Sequence, residues 1–321
     1  MDMIWLTPEL EEIGPCYNDV DFDVGVPESA TNDFQMSGLI PGGVGGVYVP
    51  GTEFGGLLEY AQTTNYNDSV KTKGWTWRGL LTQGIIAPDS GQDYKIVSGD
   101  AHAVMRSLLS GFLGGFFNVP ETISGININN YQFARYCTIL DGLTAMLDSV
   151  DAKMAITAEK PDDGSPVRIT LTAKPIETIG DKYTIDSRVD ITHTDNRMGI
   201  NHLICLGQGE LKDRTRVDLY IDVNGVIGTT PFYTGRDERT AVYDYSSAEN
   251  VDVLTSYGKK RLFEVASQRT ISIDNADIDG DVGDLVYGYM HGIETVAPIT
   301  HKILTISGGI WKYESKIKGV T

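Results

Sequence analysis

The chain has few cysteines, few cations and no long apolar run, and each shortage removes a class of protein. Cys16, Cys137 and Cys205 are odd in number and widely spaced, with no CxxC pair. Neither a disulfide framework nor a cysteine-held zinc site is expected, and all three read as reduced thiols. Lys plus Arg number 26 against 44 Asp plus Glu, a formal net charge of -18, which argues against a basic groove that grips nucleic acid. The longest uncharged apolar-leaning stretch, Ser107 to Pro120, is too short and too glycine-rich to span a bilayer. The start, Met1-Asp2-Met3-Ile4-Trp5, lacks the basic and apolar regions of a secretion signal. A soluble chain without such a signal is expected.

Catalytic motifs are also missing. HExxH, GxSxG, Walker A and a GxGxxG that opens a helix do not occur, and Gly207-Gln208-Gly209 lacks the third glycine that close helix packing requires. An enzyme, a cofactor and a bound metal are therefore not expected. The acidic balance has two uses that composition does not separate: plain solubility, or a wall that keeps DNA from adhering in a conduit.

What is present suits a globular, turn-rich protein: 321 residues, 41% hydrophobic, 22% charged and 36 glycines, enough for about two domains. Val20, Phe22, Val24 and Val26 alternate with Asp19, Asp21, Asp23 and Gly25, the period of a strand with one buried face. Val47-Tyr48-Val49 follows a Gly/Pro-rich loop, and Gly74 to Leu81 predicts a further strand closing at Gly84 or soon after. These segments predict a small β-barrel or sandwich over residues 1–96. Between 97 and 185 the pattern changes to an α+β module. Asp100 caps a helix with apolar Ala101, Val104, Met105 and Leu108, and Thr138 caps a second with Leu140, Leu143, Leu147 and Val150. Strands at Met154–Ala158 and Val167–Ala173 follow, joined at Pro161-Asp162-Asp163-Gly164.

Over 186–321 the β pattern returns, at Val189/Ile191, Leu203–Leu206 and Val217–Val223, the last running into an Asn224-Gly225 hairpin signal. A helical insertion is expected at about 240–268, capped in Ser246-Ser247-Ala248-Glu249 and striped by Val251, Leu254, Leu262 and Val265. Strands resume at Thr270–Ile273, Leu285–Tyr287, Ile303–Ile306 and Trp311–Tyr313, with Gly308-Gly309 as a turn. The expected fold class is α+β, mainly β: two β-barrel-like tube domains, an α+β module between them, and a helix inserted in the C-terminal part.

Four groups of residues could carry chemistry, and each has a plainer reading. Asn275-Ala276-Asp277-Ile278-Asp279-Gly280 matches the first half of an EF-hand loop, but Val286 stands where the bidentate Glu belongs, so a polar turn between strands is preferred. His193, Asp195, His202 and Cys205 could form a nucleophilic set. His202 and Cys205, three apart on a strand, point to opposite faces, and Cys205 reads as an inert core thiol. Asp19, Asp21 and Asp23 could supply glycosidase carboxylates, but read as a solvated face that discourages edge pairing. Trp75 and Trp77 could form a sugar-stacking platform, but read as half core and half interface.

Beyond these patterns the chain resembles the phage tail proteins of the baseplate-hub or tail-associated type. The resemblance is carried by Gly74-Trp75-Thr76-Trp77-Arg78-Gly79-Leu80-Leu81 with Ile85-Ile86-Ala87-Pro88, by Asn201 to Leu211, by Ala241 to Glu249 and by Asp281 to Val286. It implies a homotrimer whose two tube domains per chain form a pseudo-sixfold ring. That ring would dock the tail tube or a distal tail protein, meet the tape measure protein, and anchor receptor-binding or fibre proteins. Double-stranded DNA would pass through its channel without specific binding. The resemblance places such a protein at the virion tail tip, near the host envelope, after assembly in the host cytoplasm. Many relatives append a peptidase, lysin or fibre; this sequence stops at Thr321, soon after the last expected strand, so the resemblance carries over no enzymatic activity as an expectation. The competing expectations are a tail-associated cell-wall or capsule hydrolase and a carbohydrate-binding tail module.

Overall fold

The computed structural model describes residues 2–27, 30–64, 69–184, 190–196, 198–222, 226–248, 250–266, 268–276, 278, 280–290 and 293–320. They form two compact units: Met1–Ile191 with Ile273–Lys318, and Thr192–Ser272 with Gly319–Thr321. This cuts the chain differently from the three-part division read from the changes of pattern near residues 96 and 185.

Unit 1 begins with seven strands: β1 (Met3–Leu6), β2 (Glu12–Cys16), β3 (Asp19–Gly25), β4 (Asp33–Ser37), β5 (Gly46–Tyr48), β6 (Gly55–Thr64) and β7 (Ser69–Thr76). They pair in the order β3-β4-β7-β6-β5-β1-β2. The alternation in β3 is realised: Val20, Phe22 and Val24 are buried, joining Met3, Trp5, Phe34, Met36 and Val47 in one core. The strand expected through Trp75 stops early. Thr76 ends β7 and its hydroxyl accepts the Gly79 N–H, nucleating a helical turn, α1 (Trp77–Leu80), that continues as a 3-10 turn to Gln83. A β-branched residue with a capping hydroxyl reads as strand by propensity, and the cap won here.

The middle of unit 1 holds β8 (Ile85–Ile86), β9 (Ile96–Asp100), α2 (Ala101–Leu109), β10 (Phe117–Asn118), β11 (Asn127–Gln132), β12 (Cys137–Thr138), α3 (Ile139–Asp148), β13 (Ala152–Glu159), β14 (Arg168–Pro175) and β15 (Thr178–Thr184). Both expected caps are present: the Asp100 carboxylate accepts the His102 N–H and the Thr138 hydroxyl accepts the Asp141 N–H. Leu140, Leu143, Met146 and Leu147 are fully buried on the inner face of α3, each contributing about 1.5–3 kcal/mol. β13 and β14 pair antiparallel, Met154 opposite Ala173 and Ala158 opposite Ile169, and the Gly164 N–H closes the expected turn on the Pro161 carbonyl.

The chain passes into unit 2 within β16 (Asp190–Asn196) and continues through β17 (His202–Leu206), β18 (Arg216–Ile221), β19 (Ile227–Gly228), β20 (Thr240–Asp244) and α4 (Val251–Val265). The sheet order is β19-β18-β17-β20; Val189 and Asn224-Gly225 lie outside the described residues. The inserted helix forms, but its cap is Asn250, whose side chain accepts the Val253 N–H, and not the Ser246-Ser247 pair; Glu249 is not described. Val251 is 53% exposed, so the true stripe is Leu254, Gly258, Leu262 and Ala266, one step every four residues. Replacing Asn250 with Ala should cost unit 2 about 1 kcal/mol, read as faster amide exchange in the first turn of α4.

The chain leaves unit 2 within β21 (Gln268–Ala276) and completes unit 1 with β22 (Leu285–Met290), β23 (Ile293–Ser307) and β24 (Ile310–Val320). β23 pairs antiparallel with β24, through the Gly308-Gly309 turn, and with β3, Leu304 opposite Phe22 and Ile306 opposite Val20. Leu304 and Ile306 thereby extend the core that β3 starts. β22 pairs with β23 and, in parallel, with β15. The protein is mainly β within an α+β class, as expected.

Candidate functional site

The acids of β3 do share one face, but β3 lies inside the sheet between β4 and β23, so they guard no edge. Each is engaged by a neighbouring segment. Asp21 accepts the Thr305 hydroxyl at 2.9 Å, Asp19 accepts the Gly308 N–H at 2.8 Å, and Asp23 accepts the Thr31 hydroxyl at 3.0 Å. Carboxylates held this way fix strand register; they do not present an acid and a base across a substrate space. The tryptophans are no platform either. Trp77 is 0% exposed, under the middle module, while Trp75 packs half-buried at the rim of the same core. Gly55 lies against the Trp77 indole, where a Cβ would stand 2.6 Å from Nε1.

In unit 2 His202 and Cys205 face opposite ways, as their spacing requires. Cys205 packs under α4 at Gly258, where a Cβ would lie 2.5 Å from its sulfur, and burial pushes its thiol up to about 11. It is therefore protonated and unreactive at neutral pH. His202, the first residue of β17, is buried. Its Nδ1 lies 2.7 Å from Glu238 Oε1 and its Nε2 2.8 Å from Asp218 Oδ1, with the ring stacked on Tyr220 at 4.2 Å. The side chains of His193 and Asp195 lie outside the described residues. Arg216 grips both oxygens of Asp218, and this bond, with His202 against the opposing burial, holds the Asp218 carboxyl below the usual range. A depressed carboxyl stabilises the fold above its unfolded value and loses that contribution as pH falls through its folded value. Unit 2 should therefore soften in the acid limb below about pH 4, and Asp218→Asn should flatten that limb in hydrogen-exchange measurements.

The Asn275–Gly280 segment leads to Lys153 and Asp284, the most enclosed ion pair among the described residues. Asp277 and Asp279 are not described, but Ile278 is buried and Val286, at the failed ligand position, lies fully buried in β22. The acids just beyond bind a protein cation. Lys153 of β13 places Nζ 2.5 Å from Asp284 and 3.0 Å from Asp281. Asp284 also accepts the Glu177 N–H at 2.9 Å and the Asp281 N–H at 2.8 Å. Burial pushes the Asp281 carboxyl up, and Lys153, with Lys174 and Lys302 behind it, more than offsets this and holds it below its usual range. The cluster lines a cavity of about 740 Å³ with Lys174, Lys302 and Glu177. Among the described residues no three His, Cys, Asp or Glu gather into a metal-binding set. Nothing local in the sequence marks Lys153 as a buried cation; its partner Asp284 is 131 positions away.

No helix among the described residues is long and apolar enough to cross a membrane. No protein-family model matches the chain, and no curated protein matches it. Solved structures do. The 43 kDa tail protein of prophage MuSo2 from Shewanella oneidensis superposes with a TM-score of 0.57 at 11% identity, over 100% of this chain and 98% of that one. A tail protein from Neisseria meningitidis gives 0.54 at 15% identity, over 99% and 96%. A prophage tail protein from Listeria monocytogenes gives 0.52 at 13% identity, over 99% and 94%. At these identities the likeness is one of fold, and it runs from end to end of both partners.

Proposed function

We propose that this chain, which has the fold of bacteriophage tail proteins, is a structural subunit of a phage tail tip or baseplate and does no catalysis. The observation that carries the reading is the end-to-end superposition on three tail proteins, with little of either chain left over. The sites support it: the Asp strip ties strands, Cys205 is sealed under a helix, and Asp281 and Asp284, just beyond the EF-hand-like segment, hold a lysine. In this reading the chain works as a homotrimer whose β-rich parts close a ring, adapt to the tail tube or a distal tail protein, and meet the tape measure protein. Receptor-binding or fibre proteins attach to the ring, and double-stranded DNA passes through it without specific binding.

The charge distribution bears on the channel. Residues 192–272 hold eleven Asp and Glu against ten Lys and Arg, so nearly all of the net charge of -18 belongs to unit 1. A wall of that sign repels phosphate and lets DNA slide. The reading assigns unit 1 to the lumen. Antibody against this chain should label the tail tip of intact virions, and the assembled ring should show an acidic lumen. Label confined to the capsid or tail shaft would overturn the assignment, as would cleavage of peptidoglycan or capsule by purified protein. A basic channel wall would overturn the luminal role of unit 1 alone.

A further inference from the structure

A lysine and a carboxylate sealed from water form a costly pair, because each ion gives up its hydration and only the partner replaces it. Lys153 and Asp284 are such a pair, each side chain 4% exposed. Their surroundings allow one geometry. Gly283, at φ +101, lays its turn over the Lys153 stem, where a Cβ would stand 3.1 Å from Lys153 Cβ. That turn is tied to β23 by the Gly283 N–H on the Ile299 carbonyl at 2.9 Å and the Ile299 N–H on the Asp284 carbonyl at 2.8 Å. Around Asp284, the Glu177 N–H points at Oδ1 from 2.9 Å, Lys153 Nζ stands 2.5 Å from Oδ2, and Asp281 offers a second carboxylate 3.0 Å from the same nitrogen. A nucleophilic nitrogen, an acyl carbon, a donor on the carbonyl oxygen and an adjacent proton acceptor are the parts of an acyl transfer.

From this geometry we propose that Lys153 and Asp284 condense into an isopeptide bond, a covalent link between β13 and the turn that precedes β22. Asp281 takes a proton from the ammonium and passes it to Oδ2 of Asp284, so that a neutral amine faces a neutral carboxyl, and the freed Nζ lone pair attacks Cγ of Asp284. The Glu177 N–H carries the negative charge that gathers on Oδ1. Oδ2 then leaves with two of the three ammonium protons, one of them relayed by Asp281. One C–N bond forms and one C–O bond breaks; ammonium and carboxylate become amide and water, with no oxidant, cofactor or second substrate. Fixing amine and carboxyl in one frame supplies effective molarities of about 10⁵–10⁸ M, and the competing state is a buried ion pair rather than two hydrated ions. The link closes the stretch of chain that contains residues 192–272 of unit 2, so tension applied to that stretch cannot unthread β22 from unit 1.

Intact-mass spectrometry of the purified, denatured full chain tests this directly. The expected mass is one water below that of the sequence, and digestion should yield a branched peptide joining the Lys153 and Asp284 segments. Lys153→Arg should restore the full mass. Asp281→Asn, which keeps the ion pair and removes the proton acceptor, should leave freshly made protein at full mass and slow the loss of water, a second reading should Lys153→Arg not fold. Wild-type protein at the full sequence mass overturns the proposal. So does a water loss that persists in Lys153→Arg, which would place the dehydration at an Asp-Gly step such as Asp163-Gly164.

Discussion

In the Asp281→Asn background, where Lys153 and Asp284 stay an uncondensed ion pair, Lys153→Met should destabilise unit 1 by about 3–5 kcal/mol, the cost of stranding a buried carboxylate without its cation. Met fills the volume of the lysine stem under Gly283, so the loss is electrostatic and not a cavity. Asp284 would keep its two backbone N–H donors, from Glu177 and Asp281, but lose the ammonium at 2.5 Å. Removing the charge as well, in Lys153→Met with Asp284→Asn, should recover most of the loss, since a neutral amide can still accept both N–H groups. Urea denaturation followed by tryptophan fluorescence isolates this unit, because Trp5, Trp75, Trp77 and Trp311 all fall within it. A single-variant cost near 1 kcal/mol, the value of an exposed pair, would mean that the cluster is hydrated and that β22 is not pinned to β13 through it.

Gly74→Val should abolish the fold of unit 1 or weaken it by more than about 4 kcal/mol. A Cβ at Gly74 would stand 2.0 Å from the Leu57 carbonyl oxygen and 2.6 Å from Phe34 Cε1. The first obstacle is backbone of β6 and the second is a fully packed ring of the core, so neither can swing aside as a surface side chain would. Gly56, with the Trp75 carbonyl oxygen 2.0 Å from its would-be Cβ, meets the same crowding from the facing strand. Gly42→Ala is the matched control: nothing lies within 4 Å, and the change should stay within about 0.5 kcal/mol. Soluble yield and thermal unfolding of the two variants decide it. A Gly74→Val protein as stable as the parent would refute the close approach of β6, β7 and Phe34.

Much of the local structure was readable because its signals are local. The β3 alternation, the Asp100 and Thr138 caps, the Pro161–Gly164 turn and the Gly308-Gly309 turn each depend on residues a few positions apart, and all are present. Two local readings failed where one local signal hid another. Thr76 was read as strand and acts as a cap, and Asn250 displaced Ser246-Ser247 because it stands one four-residue step ahead of Leu254, where the stripe that α4 buries begins. The same limit governs the candidate sites. Spacing along β17 was enough to separate His202 from Cys205, but Glu238 and Asp218 reach His202 from other strands and loops, and no pattern announced them.

The sequence by itself determined the acidic character, the mainly β class with its capped helices, and the lack of known catalytic motifs, since these follow from composition and from periods of two and of about four residues. The tertiary structure decided which distant segments became neighbours. It placed β23 against β3, seated Lys153 between Asp281 and Asp284, and set Trp77 under the middle module. Those choices rest on matching buried faces and on cancelling buried charge across more than a hundred residues. That condition belongs to the packed chain, because hydrophobic burial and ion desolvation take effect only once the segments meet.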